Sequence, residues 1–100
     1  MPTRKLDFLD EVDAELRHAQ NWYAVRNPRA AERFVTELER AFQVIIEEPE
    51  RWSKYGRRAR YYQLRRFPYL VIYEFDPSTV TVIAVAHTSR RRGYWRRRLR

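Results

Sequence analysis

The sequence predicts an α+β fold in which a helical hairpin packs on an antiparallel sheet, in the order β-α-α-β-β-β-(α). Three observations carry this reading. Between residues 9 and 45 apolar side chains recur every three or four positions, the period of a helix buried along one side. From residue 60 the period becomes two, as in strands. Between these stretches Pro49 and Gly56 break the chain, so the two patterns form separate layers. Neither layer can hide its apolar side alone, so each must cover the other.

The elements follow in order. Lys5 to Leu9 reads as a first strand. Asp10 is a candidate N-cap, with Asp13 three residues on, close to a capping box. Leu9, Val12, Leu16, Ala19 and Tyr23 then share one face of a helix over residues 10–26. Asn27-Pro28 restarts the chain, because Asn caps and Pro suits the first helical position. The second helix runs from Pro28 to about Glu48, with Ala31, Phe34, Leu38, Ala41, Phe42 and Ile45 inward. So short a link makes the pair an antiparallel hairpin. Pro49 ends it.

Residues 50–60 read as a basic connection turning at Gly56. Arg60 to Phe67 alternates and is interrupted by Pro68. Tyr69 to Phe75 is a strand with Tyr69, Val71, Tyr73 and Phe75 on one face. Asp76-Pro77-Ser78-Thr79 has the residues of a type I turn, which joins it to Val80–His87 as an antiparallel hairpin. That last strand is apolar on both faces and belongs inside the sheet. Thr88 to Gly93 is a basic loop, and Tyr94 to Leu99 a short basic helix or tail.

Composition narrows the chemistry. One hundred residues form one domain, residues 1–100, with a modest core. With 15% aromatic residues the chain is packed rather than disordered. There is no cysteine, hence no disulfide, thiolate site or cysteine nucleophile. Two histidines, His18 and His87, make a zinc site a poor fit, and two glycines leave no phosphate-binding loop. No metal and no cofactor is expected. No apolar run reaches the roughly 18 residues of a membrane span, and MPTRKLDFLDE lacks the apolar stretch of a signal peptide. The chain is expected to be cytoplasmic, with no membrane partner.

Charge is split along the chain. Residues 1–50 carry 7 Arg or Lys against 11 Asp or Glu, net −4, whereas residues 51–100 carry 14 against 2, net +12. A cationic half-chain calls for an anionic partner, nucleic acid or acidic protein.

Several segments in this order resemble one family. They are Asn21-Trp22-Tyr23, Ala30 to Phe42, Glu47 to Trp52, Arg65 to Phe75, and Val82 to Arg98 with its AVAH, RRR and YW motifs. Together they resemble the RelE/ParE superfamily of toxins from type II toxin–antitoxin modules, of plasmid-stabilisation or stress-response type. The resemblance implies a small toxin held inactive by a cognate antitoxin. RelE-like members cleave mRNA on the ribosome, and ParE-like members poison DNA gyrase. In ribonuclease members a catalytic arginine directly follows the aromatic residue that opens the strand at Tyr69. Here that position is Leu70.

The expected reading is therefore a ParE-like toxin acting on gyrase, with a ribosome-dependent, metal-independent mRNA endonuclease (an mRNA interferase) as the alternative. A nucleic-acid-binding module without toxicity would explain the charge but not the aromatic and strand motifs. Cleavage needs a base, phosphate-stabilising cations and an acid. Candidates for those roles are His87, Arg91 and Tyr94, although His87 also reads as a structural residue bonded to the basic loop. The expected target-binding residues are Arg57, Arg58, Arg60, Arg65, Arg90, Arg91, Arg92, Arg96 and Arg97. Lys54, Arg66, Arg98 and Arg100 add to the same charge. Trp22, Tyr23, Trp52 and Trp95 read as packing residues, and His18 as surface.

Overall fold

The computed structural model describes residues 4–99. Arg100, part of the expected basic run, lies outside them. Strand β1 (Lys5–Phe8) leads into helix α1 (Asp10–Arg26) and helix α2 (Pro28–Glu47). A 3-10 turn (Pro49–Arg51) then precedes strands β2 (Ser53–Tyr55), β3 (Ala59–Gln63), β4 (Tyr69–Phe75) and β5 (Thr79–His87). A C-terminal 3-10 helix (Tyr94–Arg98) closes the order. No helix among the described residues is long and apolar enough to cross a membrane.

The α+β reading and the helix boundaries hold. Asn27 caps α2, its side-chain oxygen accepting from the Arg29 and Ala30 amides at 3.1 and 3.4 Å. The cap of α1 differs: Leu9 takes that position without a side-chain bond, and Asp10 is already helical. Asp10, Glu11 and Asp13 in the first turn instead meet the positive end of the helix dipole.

The sheet is mixed rather than wholly antiparallel, in the order β1-β5-β4-β3-β2. The helical hairpin carries the chain from one edge to the other, and three reversals bring it back until β5 lies parallel to β1. The segment read as a basic connection is a hairpin: Ser53–Tyr55 pairs with β3 across a turn at Gly56, whose φ of 74° suits glycine. The expected strand to Phe67 stops at Gln63. The Leu64 amide bonds to the Tyr69 carbonyl, and the Tyr69 amide to that of Phe67, so the chain doubles back. That turn puts Leu64 and Phe67 in one cluster, where strict alternation would set them on opposite faces.

The two sheet faces are covered differently. On the helix face Phe34 meets Tyr23, Phe67 and Tyr69 at 5.3, 5.3 and 5.2 Å between ring centres. Tyr73 is fully buried there and its hydroxyl donates to the Pro49 carbonyl at 2.5 Å. On the other face Tyr55, Ala59, Ile72, Ile83, Ala84 and Ala86 form a second cluster closed by Trp95. Its cover is the C-terminal 3-10 helix. Trp22 departs from the expected packing role, being 47% exposed with Arg26 stacked on it at 3.9 Å.

Candidate functional site

The side of the sheet away from the helices holds a cavity of about 230 Å³. Leu70 and Ile72 of β4, Ala86 of β5, and Tyr55, Tyr61 and Trp95 give it an apolar floor. Arg90, Arg91 and Arg92 form a cationic rim in the loop after β5, beside His87 at the end of that strand. Among the described residues, no carboxylate lines it. This geometry follows from the sequence. Even-numbered residues of β4 face away from the helices, and Gly93, with φ of 76°, turns the loop so that Trp95 folds back onto the sheet.

Aromatic rings hold several of the cations. Arg90 stacks on Tyr94 at 3.8 Å and Arg92 on Tyr55 at 4.7 Å. Arg96 lies 5.7 Å over Trp95. A Cβ built on Gly93 would come within 2.9 Å of Arg96 Nη1, and one on Gly56 within 3.5 Å of its Nη2. Gly93 thus leaves space that the Arg96 guanidinium fills, whereas the contact at Gly56 would be an ordinary one.

Of the expected site residues, His87, Arg90, Arg91, Arg92 and Tyr94 come together at this cavity. Arg57, Arg58 and Arg96 line a neighbouring recess beside Gly56, where Arg58 Nε is 3.6 Å from the Glu74 carboxylate. Arg97 is exposed and lines neither. Arg60 turns to the helix face, donating to the Trp52 carbonyl at 2.7 Å and lying 5.9 Å over Phe75. Arg65 joins Arg66 in a groove against α2, and the Arg66 amide bonds to Glu37. Arg98, counted among the basic run, is not a free cation: its side chain is 14% exposed and paired with Glu15.

Tyr94 is engaged through its hydroxyl, and His87 through one of its two ring nitrogens. Nδ1 of His87 accepts from the Ser89 amide at 3.0 Å and lies 2.8 Å from the Ser89 hydroxyl. An amide can only donate, so Nδ1 carries a lone pair and the neutral ring holds its proton on Nε2. The ring also stands edge-on to Tyr69 at 5.1 Å. The Tyr94 hydroxyl donates to Oε2 of Glu15. Burial, and then that bond, push the Tyr94 phenol well above its ordinary value. Leu70 lies in the cavity floor, an apolar side chain at the position where the resemblance would put a catalytic arginine in a ribonuclease member.

Glu15 is the residue that sequence reasoning missed. It sits on α1 beside the apolar face, and its partners are 70 or more residues away. Its carboxylate accepts from the Val85 amide at 3.0 Å, from Tyr94, and from both Arg98 terminal nitrogens at 3.0 and 2.9 Å. Burial disfavours the Arg98 charge, but the hydrogen bond to Glu15 and the negative charge around it together outweigh burial and raise the pKa. Nothing in the local pattern marks one acid of α1 over its neighbours.

Comparisons with known proteins agree with this architecture. The model of the ParE toxin of the type II toxin–antitoxin system parDE matches residues 6–92. Among solved structures, a chain from the chromosomal ParDE TA system of P. aeruginosa superposes with a TM-score of 0.73 at 13% identity. That match covers 85% of this chain and 96% of the other. At such identity the likeness is one of fold. No curated protein matches.

Proposed function

Because this chain belongs to the ParE toxin family of type II toxin–antitoxin systems, we propose that it inhibits DNA gyrase through the cationic face of its sheet and is neutralised by a cognate antitoxin. The observation that carries the choice of target is the state of the cavity beside Arg90, Arg91 and Arg92. It offers cations and an apolar floor but no free proton-transfer pair. Tyr94 is bonded to Glu15, Nδ1 of His87 accepts from Ser89, and Leu70 supplies no phosphate clamp. Metal-independent RNA cleavage needs those groups available. A face of this kind suits binding to an acidic surface, with arginines for charge and the floor for an apolar anchor.

Gyrase works in the cytoplasm, and the toxin acts there in this reading. The target-binding set comprises Arg90, Arg91 and Arg92 at the cavity, with Arg57, Arg58, Arg96 and Arg97 around it. The test is a titration of purified toxin into a gyrase supercoiling assay, alongside primer extension on ribosome-bound mRNA. Loss of supercoiling with intact mRNA is expected, and salt should weaken the inhibition because the contacts are ionic. Unaffected supercoiling with discrete mRNA cuts would overturn this reading in favour of the ribonuclease one.

A further inference from the structure

The arginines of the candidate face are held by a relay that begins on the opposite layer. Glu15, on α1, is 13% exposed and its two oxygens accept four hydrogen bonds. Two come from Arg98 and one from Tyr94, both in the C-terminal 3-10 helix. The fourth comes from the Val85 amide, on the stretch of β5 beyond the end of β1, which pairs only with residues 79–82.

Arg98 adds a bond of its own. The register of β4 and β5 skips Ile83, so that residue has no partner across the ladder, and its carbonyl accepts from Arg98 Nη1 at 2.9 Å. The Glu15–Arg98 pair thus seals a strand edge and ties down the C-terminal segment. Tyr94, fixed by Glu15 through its hydroxyl, carries Arg90 stacked on its ring at 3.8 Å. The next residue, Trp95, packs edge-on against Tyr55, which carries Arg92.

We propose that Glu15 is a positioning residue for the target-binding face, acting on Arg90 through Tyr94 and on the C-terminal segment through Arg98. Glu15 contacts no target itself. It sets where the Arg90 guanidinium stands, and so couples the α1 layer to the cationic rim. This inference rests on the reading of that rim as the binding face.

The test has two arms. The first is spectroscopic and needs no target. In the wild type the Arg90 side-chain protons should be shifted upfield by the Tyr94 ring current. Glu15→Ala should remove that shift while the methyl resonances of Val12, Leu38 and Ile45 in the core stay in place. Should Glu15→Ala not fold, Glu15→Gln serves in its place, because an amide oxygen still accepts from Val85 but cannot serve Arg98 and Tyr94 together. An unchanged Arg90 shift in the folded variant overturns the proposal.

The second arm is growth arrest on induced expression, which does not presuppose gyrase. Glu15→Ala should raise the toxin level needed for arrest by about tenfold, the change expected when one anchoring contact of an interface is lost. Combined with Arg90→Ala, it should cost less than the product of the two single effects, because the part of the Glu15 effect that runs through Tyr94 is carried by Arg90. Effects that simply multiply would overturn the relay. If supercoiling proves insensitive to the wild-type protein while growth arrest follows this pattern, the gyrase reading fails and the positioning role stands.

Discussion

The two faces of the sheet reach burial by opposite means. On the helix face two helices of 17 and 20 residues press an aromatic cluster onto the strands, and the stabilising contacts are many and apolar. On the other face five residues of 3-10 helix cover the sheet, held by Trp95 and by the bonds to Glu15. The first cover is redundant and the second depends on few groups. A short, polar attachment leaves cations at the surface and keeps a cavity open beside them, which a second helical layer would fill. If the cationic face binds the target as proposed, stability and binding are thus divided between the faces.

The sharpest way to break that division is to cut one anchor on each side. Phe34→Ala should cost about 3–5 kcal/mol, because Phe34 is fully buried among three other rings and the hole cannot collapse around helix and sheet together. For a small domain with about 5–15 kcal/mol in hand this approaches unfolding, and urea denaturation followed by circular dichroism reads it. Trp95→Ala should cost less, about 2–3 kcal/mol, because the 3-10 segment can detach while the helix face stays packed. Hydrogen exchange should then show protection lost around residues 94–98 and kept in α2. Equal costs with uniform loss of protection would mean that the two faces form one cooperative unit.

A finer comparison uses two tyrosines, one per face. Tyr73 and Tyr94 are both pushed well above the ordinary 10.0, in each case chiefly by burial. A phenol whose pKa is raised by folding stabilises the fold below pH 10.0, and that contribution falls as pH rises past it, because the unfolded chain ionises first. Stability should therefore decline in alkali. Tyr73→Phe and Tyr94→Phe should each remove part of the decline, and each should cost about 1 kcal/mol at neutral pH for the lost hydrogen bond. Phenolate absorbance during a pH titration should rise with detachment of the C-terminal 3-10 helix for Tyr94 and only with global unfolding for Tyr73. Simultaneous titration of both would erase the distinction between the faces.

How much of this was legible in the sequence also divides by face. The helix face was readable because its signals are local: period, Asn27-Pro28, Pro49, and the alternation Tyr69-Val71-Tyr73-Phe75. The parallel pairing of β1 with β5 was not, because strand direction depends on where a helical hairpin sets the chain down. The β2–β3 hairpin was hidden by charge, since Ser53, Lys54, Arg57 and Arg58 look like a loop, and only Tyr55 and Ala59 turn inward. At the candidate site composition located the cations but could not sort them. Arg60, Arg90 and Arg98 are the same residue type, yet one braces the helix face, one stands at the cavity rim and one is consumed by Glu15. That sorting is made by partners up to 83 residues away.

The smallest expected effect belongs to a residue of neither face. Asp76 closes the β4–β5 turn, its Oδ1 accepting from the Ser78 amide and hydroxyl at 2.8 and 3.0 Å and from the Thr79 amide at 2.9 Å. The Ser78 amide bond, then the Ser78 hydroxyl and the Thr79 amide, hold its carboxyl below the ordinary 3.8. A group whose pKa is depressed by folding stabilises above its unfolded value and loses that contribution as pH falls through the folded one. Loosening of the turn is thus confined to acid below pH 3.8. Asp76 is fully exposed, so the effect should be slight, and Asp76→Asn should flatten it while leaving neutral-pH stability nearly unchanged. Because β4 and β5 present residues to both clusters, acid should lower exchange protection on the two faces in parallel. Acid loss on one face alone would mean that the turn belongs to that face, and that the sheet does not transmit its loosening evenly.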